Sequence, residues 1–156
     1  MPVALHRRRG FSLPELIITI AIIGVMSALA VAVFSNVTNR SENSVANEIQ
    51  ERLNQALTKY NHSIHEIELQ PEEGTEDEIA VLRSLQWKDL TAPGSPFMRP
   101  DWDPETGNAS DTYRLIWNGR VFKLARPGTA GDGLIINFDA EDTGKPVEFP
   151  EDFSPL

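Results

Sequence analysis

The sequence predicts an α+β protein in which a long N-terminal helix, membrane-spanning over its first half, packs against a small antiparallel β-meander head. Three observations predict it. An uncharged apolar run fills residues 16–34, an apolar stripe at helical spacing follows it, and two alternating segments flank an Asn-Gly pair near residue 118.

The apolar run comes first. Leu16 to Phe34 is 19 residues with only Thr19 and Ser27 as mild polar members, long enough as a helix to cross a hydrocarbon core of about 30 Å. His6 and three arginines, Arg7, Arg8 and Arg9, precede it, and acidic residues accumulate after it. The positive-inside rule then predicts a cytoplasmic N-terminus and an exported remainder. Glu15 stands at the edge of the run, where an ionised carboxylate sunk into lipid costs roughly 2.5 to 3.5 kcal/mol. Such a group needs a cationic partner. A cut after Gly10 would supply one, because it frees an amine on Phe11, five positions from Glu15 counted inclusively.

Arg-Arg-Arg-Gly10, then Phe-Ser-Leu-Pro-Glu-Leu16 and the apolar run, resemble the class III leader and N-terminal helix of type IV prepilins and type II secretion pseudopilins. The resemblance covers about 30 residues. It implies that a membrane-embedded prepilin peptidase cuts after Gly10 and methylates Phe11, and that Glu15 is the assembly carboxylate. It also implies a filament of like and unlike pilin-like subunits, extruded from an inner-membrane platform as a type IV pilus or a secretion pseudopilus. Pro14 departs from the apolar residue usual there, but proline is tolerated in a first helical turn. On this reading residues 1–10 are leader, 11–34 the membrane and assembly half of the helix, 35–67 its amphipathic half and 68–156 a periplasmic head. Two other readings stay open. Arg8-Arg9 with an Ala28-Leu29-Ala30 site fits a removed export signal, giving a mature start at Val31, and an uncut anchor would keep Met1.

Beyond Phe34 no strong breaker occurs before Pro71, and Val45, Ile49, Leu53, Ala56, Leu57, Tyr60, Ile64 and Ile67 recur at steps of three and four. One amphipathic face is predicted, on a helix running from about Leu16 to Ile67. The head has fewer than about 100 residues, and a domain of that size buries only about 60 to 65% of its unfolded surface. The stripe is therefore expected to complete its core. Gly24 is a candidate for close approach between membrane helices. His62 and His65 are read as exposed residues of the polar face rather than as metal ligands.

In the head, residues 70–77 read as a loop and Glu78 to Gln86 as a short helix with Ile79, Leu82 and Leu85 inward and Asp77 as its cap. Four prolines and two glycines between Thr91 and Gly107 predict an extended loop. Tyr113–Trp117, Asn118-Gly119 and Arg120–Leu124 predict a type I′ hairpin. Leu134–Phe138 is the third strand, reached through the glycine-rich link 126–133.

Charge and composition limit the chemistry. The formal charge is −9, and with the three leading arginines set aside 11 basic residues face 23 acidic ones, which disfavours nucleic-acid binding. The absence of cysteine excludes a disulfide, a thiolate zinc site and a cysteine nucleophile. No nucleophile elbow, H-E-x-x-H pair or phosphate loop occurs, so the chain is not expected to be an enzyme and no cofactor is expected. Two acidic loops are the candidates for calcium: Asp101, Asp103 and Glu105 with Asp111 nearby, and Asp139, Glu141 and Asp142. Neither fits the EF-hand spacing. The competing function is a membrane-tethered or exported module that binds a cation or another ligand with its acidic head.

Overall fold

A computed structural model describes residues 10–71, 74–108, 110–138 and 145–156. Six elements follow in order: α1 (Leu13–Ser63), α2 (Glu76–Gln86), β1 (Thr106–Gly107), β2 (Arg114–Trp117), β3 (Phe122–Ala125) and β4 (Gly133–Ile135). The chain divides into two compact units, Met1–Ser41 and Glu42–Leu156, with the boundary inside α1. The fold is α+β, a long N-terminal helix with a small antiparallel four-stranded sheet.

The first part of α1 is exposed along its apolar residues. Leu16, Ile20, Ile23, Met26, Leu29 and Phe34 are all more than half exposed, and α1 is long and apolar enough there to cross a bilayer core. Two of its hydroxyls bond back to the helix, Thr19 Oγ1 donating to the Glu15 carbonyl at 2.6 Å and Thr38 Oγ1 to that of Phe34 at 3.0 Å. α1 starts at Leu13, so Pro14 sits in the first turn, where its missing N–H breaks no helical bond.

In the second unit the predicted stripe is the buried face from Leu53 onward, where Leu53, Ala56, Leu57 and Tyr60 join one core cluster with Val81, Leu82 and Leu85 of α2 and Leu115, Trp117, Phe122, Leu134 and Ile136 of the sheet region; at the start of the stripe Val45 is 40% exposed and its neighbour Ala46 is buried instead. The helix ends at Ser63, earlier than the apolar spacing predicts. Ile64 N still donates to the Tyr60 carbonyl, but beyond it the chain leaves the helix, buries Ile67, and offers the Leu69 carbonyl to Trp117 Nε1 at 2.9 Å. Tertiary contacts, not a breaking residue, end the helix.

All strand pairs are antiparallel, in the order β1-β4-β2-β3. The connectivity is not that of a simple meander, because β4 pairs with β2 (Leu115 opposite Leu134) and not with β3. The physical reason lies on α1. Asn54 accepts from Phe122 N at 2.8 Å through Oδ1 and donates to Phe122 O at 2.9 Å through Nδ2, and Gln50 Nε2 donates to the same oxygen at 3.0 Å. The outer edge of β3 is closed at Phe122 by helix side chains, and β4 pairs on the other side of β2.

The hairpin is present with a longer turn than the sequence suggests. Trp117 stands opposite Phe122, so residues 118–121 form the connection. Asn118 does not take positive φ, as type I′ requires, while Gly119 does, at 90°. Asn118 Oδ1 instead accepts from Arg120 N at 3.1 Å and Val121 N at 2.8 Å, a side-chain-closed turn. α2 begins at Glu76 with Thr75 at the cap position, and Asp77 falls in its acidic first turn rather than capping it. The proline-rich loop is ordered by buried Gln86, whose Nε2 donates to the carbonyls of Arg99 and Trp102 at 2.8 and 2.6 Å. Arg114, fully buried, similarly fixes the link between β3 and β4 by donating to the carbonyls of Thr129 and Gly131. The last residues close over α2: Phe149 and Phe153 pack their rings on Trp87 at 5.0 and 5.2 Å, Leu156 N donates to Ser84 Oγ, and Tyr60 OH donates to Leu156 O.

Candidate functional site

Gly10, Phe11 and Ser12 form an exposed non-helical lead into α1, with Phe11 89% exposed. A methyl group placed on Gly10 would meet nothing within 4 Å, so the chain's own fold does not require glycine there. Ser12 is the residue before the helix, and its carbonyl accepts the N–H of Leu16 at 3.2 Å. Glu15 turns back toward it. Oε2 of Glu15 accepts from Ser12 N at 2.8 Å and from Ser12 Oγ at 2.7 Å. Ser12-Leu13-Pro14-Glu15 is thus half of a capping box, in which the third helical residue reaches back to the cap N–H. The S-x-x-E spacing was visible in the sequence, and Ser12 is the residue that the sequence reading left without a role. Gly10, the Ser12 cap and the Glu15 carboxylate stand together, directly ahead of an exposed apolar stretch of helix.

Residues 5–31 match the prokaryotic N-terminal methylation motif. This motif is the class III leader found in type IV pilins and pseudopilins, and the match is confined to the N-terminal part of the chain. The match takes in Gly10, Phe11, Ser12 and Glu15 and runs into the apolar half of α1; its first residues, 5–9, lie outside the described part of the structure. The motif implies processing by a prepilin peptidase and assembly with other pilin subunits, and with the apolar helix it fits an inner-membrane anchor. The chain matches no curated protein and no solved structure at significant similarity.

Away from the motif, the carboxylates of the first acidic loop point to different partners. Asp101 receives Arg99 Nε and an Arg99 terminal nitrogen at 3.0 and 2.7 Å, and these bonds hold its carboxyl below the usual carboxylate range. Asp103 pairs with Arg83 from α2. Glu105 lines a cavity of about 550 Å³ with Glu42, Asp111, Tyr113 and Phe138. Among the described residues no group of three or more His, Asp or Glu stands close enough to hold a metal ion. Asp139, Glu141 and Asp142 lie outside the described residues. His62 and His65 are exposed, as expected: His62 Nδ1 lies 2.8 Å from the Thr58 carbonyl, and the His65 ring sits 6.1 Å from that of Tyr60.

Proposed function

We propose that this chain is a structural pilin-like or pseudopilin subunit, cut between Gly10 and Phe11, methylated on the new amine, and assembled into a membrane-extruded filament. Before assembly, residues 16–34 lie in the bacterial inner membrane with the N-terminus cytoplasmic and the head periplasmic. During assembly the Glu15 carboxylate pairs with the Phe11 amine of a neighbouring copy, and apolar helices pack side by side. The observation that carries this reading is the exposed apolar half of α1, most of which lies within the methylation motif. Water does not tolerate that surface, and only lipid or further helices of the same kind can cover it.

The test is the mature N-terminus. Mass spectrometry of the protein from its native membrane is expected to find N-methylated Phe11, while a start at Val31 or Met1 would overturn the reading. Gly10→Val meets no steric obstacle in the chain itself, so it should insert and fold normally and remain uncut. Glu15→Ala is expected to be inserted and cut, yet excluded from filaments recovered by shearing.

A second reading, capture of a basic ligand by the head, is supported by the cavity that Glu42, Glu105 and Asp111 line beside Tyr113 and Phe138. It predicts a rise in the melting temperature of the head on adding a millimolar polyamine such as spermidine. An unchanged melting curve would count against it.

A further inference from the structure

We infer that Ser12 is a positioning residue for the Glu15 carboxylate, holding Oε2 over the start of α1 and leaving Oε1 for the cationic chain end of a second copy. The inference rests on the assembly role proposed above for Glu15. Both hydrogen bonds from Ser12, at 2.8 Å from its amide and 2.7 Å from its hydroxyl, fall on Oε2. A carboxylate has two oxygens and accepts at each, so engaging one on the chain's own cap does not preclude a partner at the other. A glutamate side chain without such bonds samples many rotamers, and each must be lost when a partner binds. Here the loss has already occurred in the single chain.

The chemistry of the cut leaves this arrangement intact. The Ser12 N–H belongs to the Phe11–Ser12 peptide, downstream of the Gly10–Phe11 bond, so both contacts exist before and after processing, and methylation of the Phe11 amine touches neither. Pro14 contributes by fixing φ in the first turn and bringing no donor of its own. The carboxylate also lies at the positive end of the helix dipole, which favours its ionised form as the acceptor for an amine.

The experiment uses the full chain in its own membrane with its assembly machinery. A single introduced cysteine in the apolar half of α1 reports contact between copies by cross-linking, since the chain has no cysteine of its own. Ser12→Ala is expected to lower the cross-linked fraction several-fold with insertion and cutting unchanged, and Ser12→Thr, which restores a hydroxyl, should recover it. In the Glu15→Ala background, Ser12→Ala should add no further loss. Wild-type cross-linking by Ser12→Ala beside a defective Glu15→Ala would overturn the positioning role and leave the assembly reading standing. An additional loss in the double variant would also overturn it. Normal cross-linking by Glu15→Ala would instead sink the assembly role itself. Should Ser12→Ala be cut poorly, exchange of the Ser12 amide in the detergent-solubilised chain decides: slower exchange in the wild type than in Glu15→Ala supports the clamp, and equal rates overturn it.

Discussion

Glu78 enters the core in the first turn of α2, 4% exposed, where it accepts the main-chain N–H of Trp117 at 2.8 Å. Burial pushes its carboxyl above the usual carboxylate range; the Trp117 bond opposes that shift, and the charges of Asp77 and Asp132 add to it. The folded chain therefore holds this proton more tightly than the unfolded chain does. The group's favourable contribution is complete at pH below its ordinary value and is lost as pH rises through the raised folded value. Glu78→Gln keeps an acceptor for Trp117 without the buried charge, so it should raise the urea midpoint at pH 7 and flatten the fall in stability between acid and neutral pH. A lower midpoint at pH 7 would contradict this. Gly133 marks a different constraint, since a Cβ there would stand 2.7 Å from the Leu115 carbonyl in the neighbouring strand. Backbone cannot yield as a side-chain tip can. Gly133→Ala is expected to cost about 1 to 3 kcal/mol, read as a lowered melting temperature. Neither feature could be foreseen from spacing, because one depends on which element lies over Glu78 and the other on how closely β4 approaches β2.

At the scale of elements, α1 joins the sheet in two ways. Its apolar stripe fills the core, and its polar flank closes the β3 edge through Asn54 and Gln50. An exposed strand edge is a template for unwanted pairing, and a helix side chain that occupies both main-chain groups of Phe122 removes that template there. Asn54→Leu deletes both of its bonds and should destabilise the head by roughly 1 to 3 kcal/mol. Gln50→Leu should cost less, because the Phe122 carbonyl keeps its bond from Asn54. Equal losses in the two variants, measured by urea unfolding, would show that the paired contact is not special. Leu57→Ala, on the stripe itself, belongs to the range of about 2 to 5 kcal/mol for a buried leucine. The stripe was legible in the sequence because its period is local. The Asn54 contact was not, since it joins residues 68 apart.

For the whole molecule, the described core begins at Ala46 and contains no residue of the first unit. A chain shortened to start at Glu42 should therefore fold without detergent and unfold in one cooperative step, whereas one that also carries residues 11–41 should require detergent or lipid. Failure of the shortened chain to fold would mean that the membrane half contributes to the head's stability. The sequence by itself determined the apolar span, the methylation motif with Gly10, Phe11 and Glu15, the amphipathic stripe and the α+β class, because each is written in neighbouring residues through charge, hydropathy or period. Tertiary structure alone decided that α1 stops at Ser63, that β4 pairs with β2, that Asn118 closes its turn with its side chain, and that Asp101 and Asp103 each meet an arginine. Those outcomes depend on which surfaces meet after collapse, and a linear pattern carries the preference of each surface without naming its partner.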